Sequence, residues 1–353
     1  MSLFGLLVFY GISLLLSHAE ARKPIQPPPP PFNGEHLFPV PVLKAWTTAP
    51  SNVVVPTGVD RLPLSDDTLD ISHVSWATAE TGTAPDGTTA HKAFYPKDSF
   101  SKAPGGLGGW GYDFKGPVDL SQSDHVLFSY AVYFPADFDF VLGGKLPGPF
   151  GGSNDETAHG CAGGRQDGRD LCWSSRLMWR ENGAGEIYVY VYLPDNKENL
   201  LRLQGSEADP GIYGFSIARG AFTFARGGWT VVSQRIKLNT LGQKDGELEL
   251  WVNGTSVIHA TGVVLRKVAA TQVRGIEAET FFGGSNSNWA SPRDQTAWIA
   301  GYSAALLGPD VSPAQRLAAY PLASAAPQFQ PATFWHAAAL IATLFTGVYR
   351  FII

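Results

Sequence analysis

The sequence predicts an all-β fold, a jelly-roll β-sandwich of two antiparallel sheets with a concave cleft. Short runs of alternating apolar and polar residues follow one another from about Phe32 to Gly308, separated by Gly, Pro, Asn and Asp. No helical period of useful length interrupts them. Aromatic residues make up 12% of the chain and charged residues only 16%, which is typical of strand-rich domains with aromatic clefts.

Four runs show the pattern clearly. Each alternates apolar with polar positions and ends at turn-forming residues: 125–134, 185–193, 229–238 and 247–252. The last run is followed by Asn253-Gly254, a dipeptide that favours a tight hairpin turn. Many short strands joined by such turns are typical of an antiparallel sandwich.

The folded domain is predicted over residues 36–310, and the preceding residues have other roles. Residues 1–19 carry an apolar run too short to span a bilayer, followed by Ser17-His18-Ala19, so we predict a signal peptide cleaved after Ala19. A buried N-terminal strand or helix is the alternative. Residues 20–35 contain five consecutive prolines, which favour a stiff polyproline spacer over a peptide-recognition site.

The C-terminal end predicts a membrane attachment. Residues 311–333 form a linker, and residues 334–353 form a hydrophobic tail about as long as a membrane span. Small residues at 323–326 precede the tail across a short spacer, which favours a GPI attachment signal. A retained helix with Arg350 and His336 is the alternative. Either form places the domain outside the cell, with membrane contact only through the tail.

Three residues fit that extracellular location. Cys161 and Cys172 are the two cysteines of the chain, and in a secreted protein a pair of cysteines predicts a disulfide. Asn253-Gly254-Thr255 is a glycosylation sequon, so Asn253 is predicted to carry a glycan. Two cysteines are too few for a structural zinc site.

The net charge limits the partners. At −5 the chain lacks the basic field that drives non-specific nucleic-acid binding, so we expect no nucleic-acid partner. An acidic substrate would have to meet a local cluster of Lys and Arg. We expect a monomer.

Three runs contain candidate site residues. The first places Lys145 among Gly and apolar residues at the end of a predicted strand, where solvation of the sheet surface is the alternative role. In the second, residues 172–180, alternation puts Ser174, Arg176 and Arg180 on one face and the tryptophans on the core face. The third run places a stripe of tyrosines opposite a face of Ile and Val: Tyr188, Tyr190 and Tyr192. Ordinary cross-strand packing is the alternative for this stripe.

These runs resemble the active-site strands of family 14 polysaccharide lyases, fungal secreted members in particular. The resemblance rests on 143–148 (GGKLPG), 174–180 (SSRLMWR) and 188–190 (YVY), and 281–284 with Trp289 and 294–295 resembles the closing strand region. It covers about residues 46–307. It implies a catalytic set of five residues: Lys145, Ser174, Arg176, Tyr188 and Tyr190. Arg180 and Tyr192 are predicted to bind substrate.

The resemblance implies β-elimination on a uronic-acid polymer such as alginate or glucuronan. Arg176 and Lys145 would neutralise the substrate carboxylate, with Ser174 as a further donor. Tyr188 or Tyr190 would move the proton, and we expect the nearby cations to lower a tyrosine pKa for this purpose. No cofactor and no metal are needed. His91 and His159 lie off these strands and are expected to be solvated.

Two other classes of function compete. A glycoside hydrolase would need paired carboxylates, and Glu247 with Glu249 and Glu277 with Glu279 have strand spacing, yet we interpret both pairs as solvated sheet faces. A non-catalytic cell-surface lectin would keep the tyrosines but would not need Lys145 and Arg176 together. We therefore expect a cationic, hydroxyl-rich cleft without carboxylates.

Overall fold

The computed structural model describes residues 31–309 except 162, 164, 165 and 209–213. The predicted signal peptide, most of the spacer, the linker 311–333 and the tail 334–353 lie outside the described residues. Within those residues, no helix combines the length and the apolar character needed to cross a bilayer.

Strands dominate the described chain. In order they are β1 (Lys44–Thr47), β2 (Val59–Arg61), β3 (Ile71–Ala77), β4 (Glu80–Thr83), β5 (Thr89–Tyr95), β6 (Trp110–Phe114), β7 (His125–Phe134), β8 (Gly143–Leu146), β9 (Gly148–Gly152), β10 (Cys172–Arg180), β11 (Ala184–Tyr190), β12 (Glu207–Ala208), β13 (Phe215–Thr223), β14 (Gly228–Lys237), β15 (Gly246–Val252), β16 (Thr255–Val263), β17 (Gln272–Phe282) and β18 (Gln295–Leu306). The α-helices are α1 (Asp66–Leu69), α2 (Asp155–His159) and α3 (Leu193–Leu201), and 3₁₀ turns cover Gly34–Leu37, Leu120–Gln122, Arg169–Leu171, Glu181–Gly183 and Ser287–Trp289.

The strands form two large sheets, which confirms the predicted sandwich. The back sheet has the order β16-β15-β14-β7-β18-β1-β2, with β5 beside β18 and β4 beside β5. The second sheet contains β8, β10 and β11, the strands with the predicted site residues, and we call it the cleft sheet. Its order is β12-β13-β11-β10-β8-β17-β6-β3, with β9 also paired to β10 and β17. The long strand pairs are antiparallel, and the short pair β1–β2 is parallel.

The main core lies between the two sheets. Phe128, Tyr130 and Tyr302 of the back sheet and Trp179 of the cleft sheet belong to one buried cluster. The apolar faces of β10 and β11, together with Val191 just after β11, also lie in it, as predicted: Trp173, Leu177, Trp179, Ile187, Val189 and Val191. Each buried Leu or Ile contributes roughly 1.5–3 kcal/mol. Because a slip of one residue would turn these side chains to the other face, their burial fixes the strand register.

A second apolar cluster covers the outer face of the back sheet. Phe32, Leu37 and Phe38 of the N-terminal segment belong to it, together with Leu127 and Trp251 of the sheet. Hydrogen bonds from the hydroxyls of Ser129 and Ser233 to the carbonyls of residues 37 and 36, 2.7 and 2.6 Å long, hold the segment in place. Phe32, which precedes the predicted domain start at residue 36, thus packs against this sheet.

The third tyrosine of the stripe leaves the sheet, contrary to prediction. Strand β11 ends at Tyr190, and helix α3 begins at Leu193 with a proline in its first turn. Proline suits a first helical turn because its amide needs no partner there and its φ angle is already helical. The side-chain amide of Asn196 donates to the carbonyls of Tyr192 and Val264, 2.9 Å each, and fixes the change of direction. The expectation of no useful helix is therefore wrong here.

Candidate active site

Strands β8, β10 and β11 bring five predicted residues onto the outer face of the cleft sheet. The opposed pairs are Ser174 with Tyr190 and Arg176 with Tyr188 on β10 and β11, and Met178 with Lys145 on β10 and β8. Side chains that are opposed, or two apart on a strand, share a face. We call Lys145, Ser174, Arg176, Tyr188 and Tyr190 the cleft patch, and each is at most 9% exposed.

Lys145 is a buried amine beside an aromatic face. Its Nζ lies 3.3 Å from the ring centroid of Tyr188 and 5.4 Å from that of Tyr190. Burial lowers the pKa of Lys145 well below its ordinary value, and the charges of Arg176 and Arg180 lower it further. The alternative of a lysine that only solvates the sheet surface is therefore wrong.

Three hydrogen-bonding groups of the cleft patch are buried and have no partner among the described residues. They are the Nζ of Lys145, the Oγ of Ser174 and the Nε of Arg176. More than nine in ten buried polar groups in proteins are hydrogen-bonded, so three neighbouring exceptions need an explanation. All three can donate, which fits a ligand that carries negative charge.

The two tyrosines pack edge to face, with ring centroids 5.7 Å apart and an interplanar angle of 81°. The Tyr188 hydroxyl accepts a hydrogen bond of 2.8 Å from the Gly214 amide. Burial raises the pKa of Tyr190, and the opposing effect of Arg176 is smaller. The expectation that neighbouring cations lower the tyrosine pKa is therefore wrong for Tyr190 in the unliganded protein.

Carboxylates stand beside Arg176, contrary to the predicted carboxylate-free cleft. The Nη1 of Arg176 lies 2.8 Å from Oε1 of Glu277 and also bonds to Oε2 of Glu279. Burial acts to lower the pKa of Arg176, but the two glutamates outweigh it and the pKa is raised. The interpretation of Glu277 and Glu279 as a solvated face is wrong. Alternation with the buried Ile276 and Ala278 would have placed them on the cleft face.

Asp113 and His159 extend this group. Asp113 lies opposite Glu277 in the β17–β6 pair, and its Oδ2 is 2.5 Å from Nδ1 of His159. Burial raises the pKa of Asp113 to about 7, assisted by Glu279, and burial raises the pKa of Glu277 to about 8. His159 is thus hydrogen-bonded to Asp113 rather than solvated as predicted, and burial lowers its pKa.

The other predicted carboxylate pair lies on the back sheet. Glu249 is fully buried, with Oε2 2.9 Å from Nη2 of Arg235, and Glu247 pairs with Arg235, Lys237 and His259. The interpretation as a solvated face is therefore wrong for Glu249. Neither residue belongs to the sheet that carries the cleft patch.

Arg180 and Tyr192, predicted to bind substrate, have different positions. Arg180 continues the cleft face of β10, and its Nε donates to Oε1 of Glu186 at 2.8 Å. Its guanidinium lies 5.7 Å from the Tyr188 ring and 5.9 Å from the Trp289 ring. Tyr192 lies beyond the end of β11, with Nζ of Lys267 4.5 Å from its ring centroid.

The family model described as polysaccharide lyase 14 matches residues 83–302, which contain the whole cleft patch. The chain belongs to polysaccharide lyase family 14. This family 14 chain is also similar to solved structures. The PL-14 alginate lyase from Aplysia kurodai is 33% identical, with a TM-score of 0.58 over 65% of this chain and 87% of that one.

Two further comparisons concern a virus. The alginate lyase vAL-1 from Chlorella virus is 24% identical, with a TM-score of 0.53 over 65% of this chain and 90% of that one, and shows the shared fold. "Exolysin" of Paramecium bursaria Chlorella virus 1 is 27% identical over 194 residues, or 51% of this chain. This family 14 chain spans 29% of the length of that protein.

A disulfide-closed loop borders the cleft patch of this family 14 chain. Cys161 and Cys172 are bonded, as predicted, with Cα atoms 5.9 Å apart. Within the loop, the buried Arg169 places Nη1 2.8 Å from Sγ of Cys161 and its guanidinium carbon 5.3 Å from the Tyr190 ring centroid. Arg169 was missed in the sequence, since nothing local shows that the loop folds back onto β11.

The remaining predicted features are a glycan and the absence of a metal. Asn253 is exposed in the turn between β15 and β16, with a φ of 48° that suits asparagine, and its Oδ1 accepts from the Val231 amide at 2.9 Å. Its glycosylation stays a prediction. In the described part of the chain, no three His, Cys, Asp or Glu side chains are grouped so that they could hold a metal ion.

Proposed function

We propose that this chain is a lyase that cleaves a uronic-acid polymer by β-elimination. The observation that carries the proposal is the set of three buried donors without partners among the described residues, Lys145 Nζ, Ser174 Oγ and Arg176 Nε, beside two tyrosine rings. A uronate carboxylate supplies acceptors for such donors, and a phenol can transfer the proton that elimination requires.

The reaction needs charge neutralisation before proton transfer. The hydrogen on C5 of a uronate is weakly acidic while the adjacent carboxylate is charged. Donors on that carboxylate stabilise the negative charge that develops as the proton leaves, and a single donor of this kind is worth about 3 kcal/mol. Arg176 and Ser174 supply donors from β10, and Lys145 supplies one from β8.

The elimination consumes no water, and each bond that breaks is matched by one that forms. A tyrosine takes the C5 proton, the C5–H electron pair forms a C4–C5 double bond, and the C4–O4 bond breaks with its electrons on O4. The leaving oxygen then receives a proton from a tyrosine. Tyr188 and Tyr190 both have hydroxyls on the cleft face, so the base and the acid are the same or neighbouring residues of this pair.

A bound carboxylate would change the charge state of the site. The Lys145 pKa is low because the amine is buried among cations. A substrate carboxylate beside it favours the ammonium form and restores the positive charge when it is needed. The cations that surround Tyr190, Arg169 and Arg176, each with its guanidinium carbon 5.3 Å from the ring centroid, favour the phenolate.

A lyase assay tests the proposal. The purified domain is incubated with alginate, its mannuronate-rich and guluronate-rich fractions, and glucuronan, and the absorbance of unsaturated uronate ends is followed. Alginate is the first choice because a 33% identical relative is named an alginate lyase. We expect absorbance to rise with at least one polymer, and Arg176→Lys to reduce kcat/KM by about a hundredfold because the planar fork is lost. A domain that binds a polyuronate without cleaving it would be a lectin.

We also propose that the domain acts outside the cell, as a glycosylated monomer attached by its C-terminal tail. The disulfide supports an oxidising compartment. The sequence predictions of a signal peptide and a GPI signal agree with it. Release of the protein from cells by a phospholipase that cleaves GPI anchors would distinguish this attachment from a retained helix.

A further inference from the structure

Arg176 contacts two glutamates and is also expected to bind substrate. Its Nη1 is held by Glu277 and Glu279, whereas its Nε is buried and has no partner among the described residues. The same guanidinium is the main candidate to bind the substrate carboxylate. We call Asp113, Glu277 and Glu279 the carboxyl cluster.

The strand order brings this cluster to Arg176. Strand β9 lies between β10 and β17, and Gly148 of β9 is opposite Glu277. A Cβ atom at Gly148 would stand 2.7 Å from the Cα of Arg176. The nearest atom to such a Cβ would be the Ser175 carbonyl oxygen at 2.0 Å, so glycine lets the β9 backbone lie close to β10, where the Arg176 side chain reaches the glutamates of β17.

The cluster carries more negative charge than Arg176 can balance. Fully ionised, three carboxylates face one guanidinium, and a substrate would add a fourth carboxylate at the same place. The other titratable groups around Glu277 are Lys145 on β8, Tyr190 on β11, His159 on α2 beside Asp113, and His73 on β3, whose ring lies 4.8 Å from that of His159. His159 has a lowered pKa, so it does not offset the excess near neutral pH.

We propose that the carboxyl cluster positions Arg176 for the substrate, and that Glu277 in its protonated state permits tight binding of the uronate carboxylate. The inference rests on the proposed function. Protonated Glu277 keeps a carbonyl oxygen that can accept from Arg176 and so keeps the guanidinium in place, but it no longer repels the substrate. When Glu277 loses its proton, Arg176 keeps its position, and a negative charge is added next to the carboxylate of the bound substrate.

The protonation states agree with this arrangement. Burial raises the pKa of Glu277 to about 8 and that of Asp113 to about 7. The Oδ1 of Asp113 is buried and without a hydrogen-bond partner among the described residues, as suits a group that is neutral for much of the time. As pH rises through this range the cluster gains negative charge, so substrate binding weakens and KM rises.

The test is the pH dependence of KM for the parent and for Glu277→Gln, which keeps the shape of the side chain without its charge. Between about pH 6 and about pH 9 we expect the KM of the parent for its polyuronate to rise at least about tenfold, and that of Glu277→Gln to rise less than about threefold. Glu277→Asp keeps a titratable carboxyl and should restore the rise. Titration of Lys145 also acts on KM, but it does so in the parent and in Glu277→Gln alike, so the difference between the two KM curves isolates Glu277.

Glu198→Gln is the matched control. It removes the same charge from an exposed position on α3, where Glu198 pairs with Arg202, and its KM should follow that of the parent. If Glu277→Gln folds poorly, as circular dichroism would show, Asp113→Asn should flatten the same curve. Equal pH dependence in the parent and in folded Glu277→Gln or Asp113→Asn would overturn this inference and leave the lyase intact. A parent that cleaves no polyuronate at any pH overturns the proposed function as well.

Discussion

Lys145 carries a stability penalty that its proposed role would explain. Its amine is buried without a hydrogen-bond partner among the described residues, and the side chain is only 6% exposed. A buried polar group without a partner costs about 1–3 kcal/mol. Residues that destabilise a fold in this way are typical of functional sites.

Lys145→Met should therefore separate stability from activity. We expect the free energy of unfolding to increase by about 1–2 kcal/mol, since Met fills a similar volume without a polar atom, while kcat/KM falls by at least about a hundredfold. Chemical denaturation and the lyase assay measure the two effects. A variant that is less stable than the parent would show that the amine has a partner in solution.

Tyr188→Phe and Tyr190→Phe test proton transfer. Each removes one hydroxyl and keeps a ring that packs nearly as well, so at least one should lower kcat by about a hundredfold or more. Tyr188→Phe also leaves the Gly214 amide without its acceptor, so a small loss of stability is expected for that variant. Full activity of both variants on a polymer that the parent cleaves would exclude tyrosine as base and acid.

Among the elements, the disulfide-closed loop supports the cleft patch from one side. The bond joins residues 11 apart and fixes the 3₁₀ turn Arg169–Leu171 at the start of β10. Arg169 then stacks on Tyr190 while its Nη2 donates to the Gly163 carbonyl at 2.7 Å. The loop thus links an oxidised cysteine pair to the position of a candidate catalytic tyrosine.

Replacing both cysteines by serine should loosen this support. Closure of a loop of this size contributes about 3 kcal/mol in the chain-entropy account, so the free energy of unfolding should fall by roughly that amount. We also expect lower kcat, because Arg169 loses its sulfur neighbours. Arg169→Gln with the disulfide intact is the control: if activity depends on the arginine, its kcat should fall while stability changes less. Unchanged kcat in both variants would leave the loop with a structural role only.

At the scale of the molecule, buried histidines make stability depend on pH. Burial lowers the pKa of His91 and of His125 to about 4. His91 lies in the core, where its Nδ1 is 3.1 Å from the Tyr112 hydroxyl, and is not solvated as predicted. The pKa of His91 is lower in the folded protein than in the unfolded chain. Its contribution to the free energy of unfolding is therefore complete above about pH 6.5 and is lost as pH falls to about 4.

His91→Phe isolates this effect. As pH falls from about 6.5 to about 4, the parent should lose up to about 3 kcal/mol of unfolding free energy relative to the variant. Asp113 and Glu277 have raised pKa values, so their titration increases the free energy of unfolding as pH falls over this range. This effect is equal in the parent and the variant and cancels in the difference. Denaturant unfolding at several pH values measures the difference, and a difference independent of pH would show that His91 is not buried neutral.

The faces of the strands were determined by the sequence itself. Alternation along β10 and β11 placed Ser174, Arg176, Tyr188 and Tyr190 on one face and the apolar residues on the other, as the core confirms. The two-residue period is a property of the extended backbone, so it can be predicted without knowledge of neighbouring strands. The same two-residue alternation gave the wrong position for Tyr192, because the strand ends at Tyr190 and a helix with a proline in its first turn follows.

Only the tertiary structure decided which strands are neighbours. Arg176 and Glu279 are 103 residues apart, and Asp113 comes from a third strand, β6. No local pattern specifies these pairings, because they arise from the order in which strands assemble into a sheet and from the packing of the two sheets. The same holds for Arg169 on Tyr190 and for the burial of Lys145. The sequence therefore determined which side chains face the cleft, and the fold decided which charges they meet there and which protonation states result.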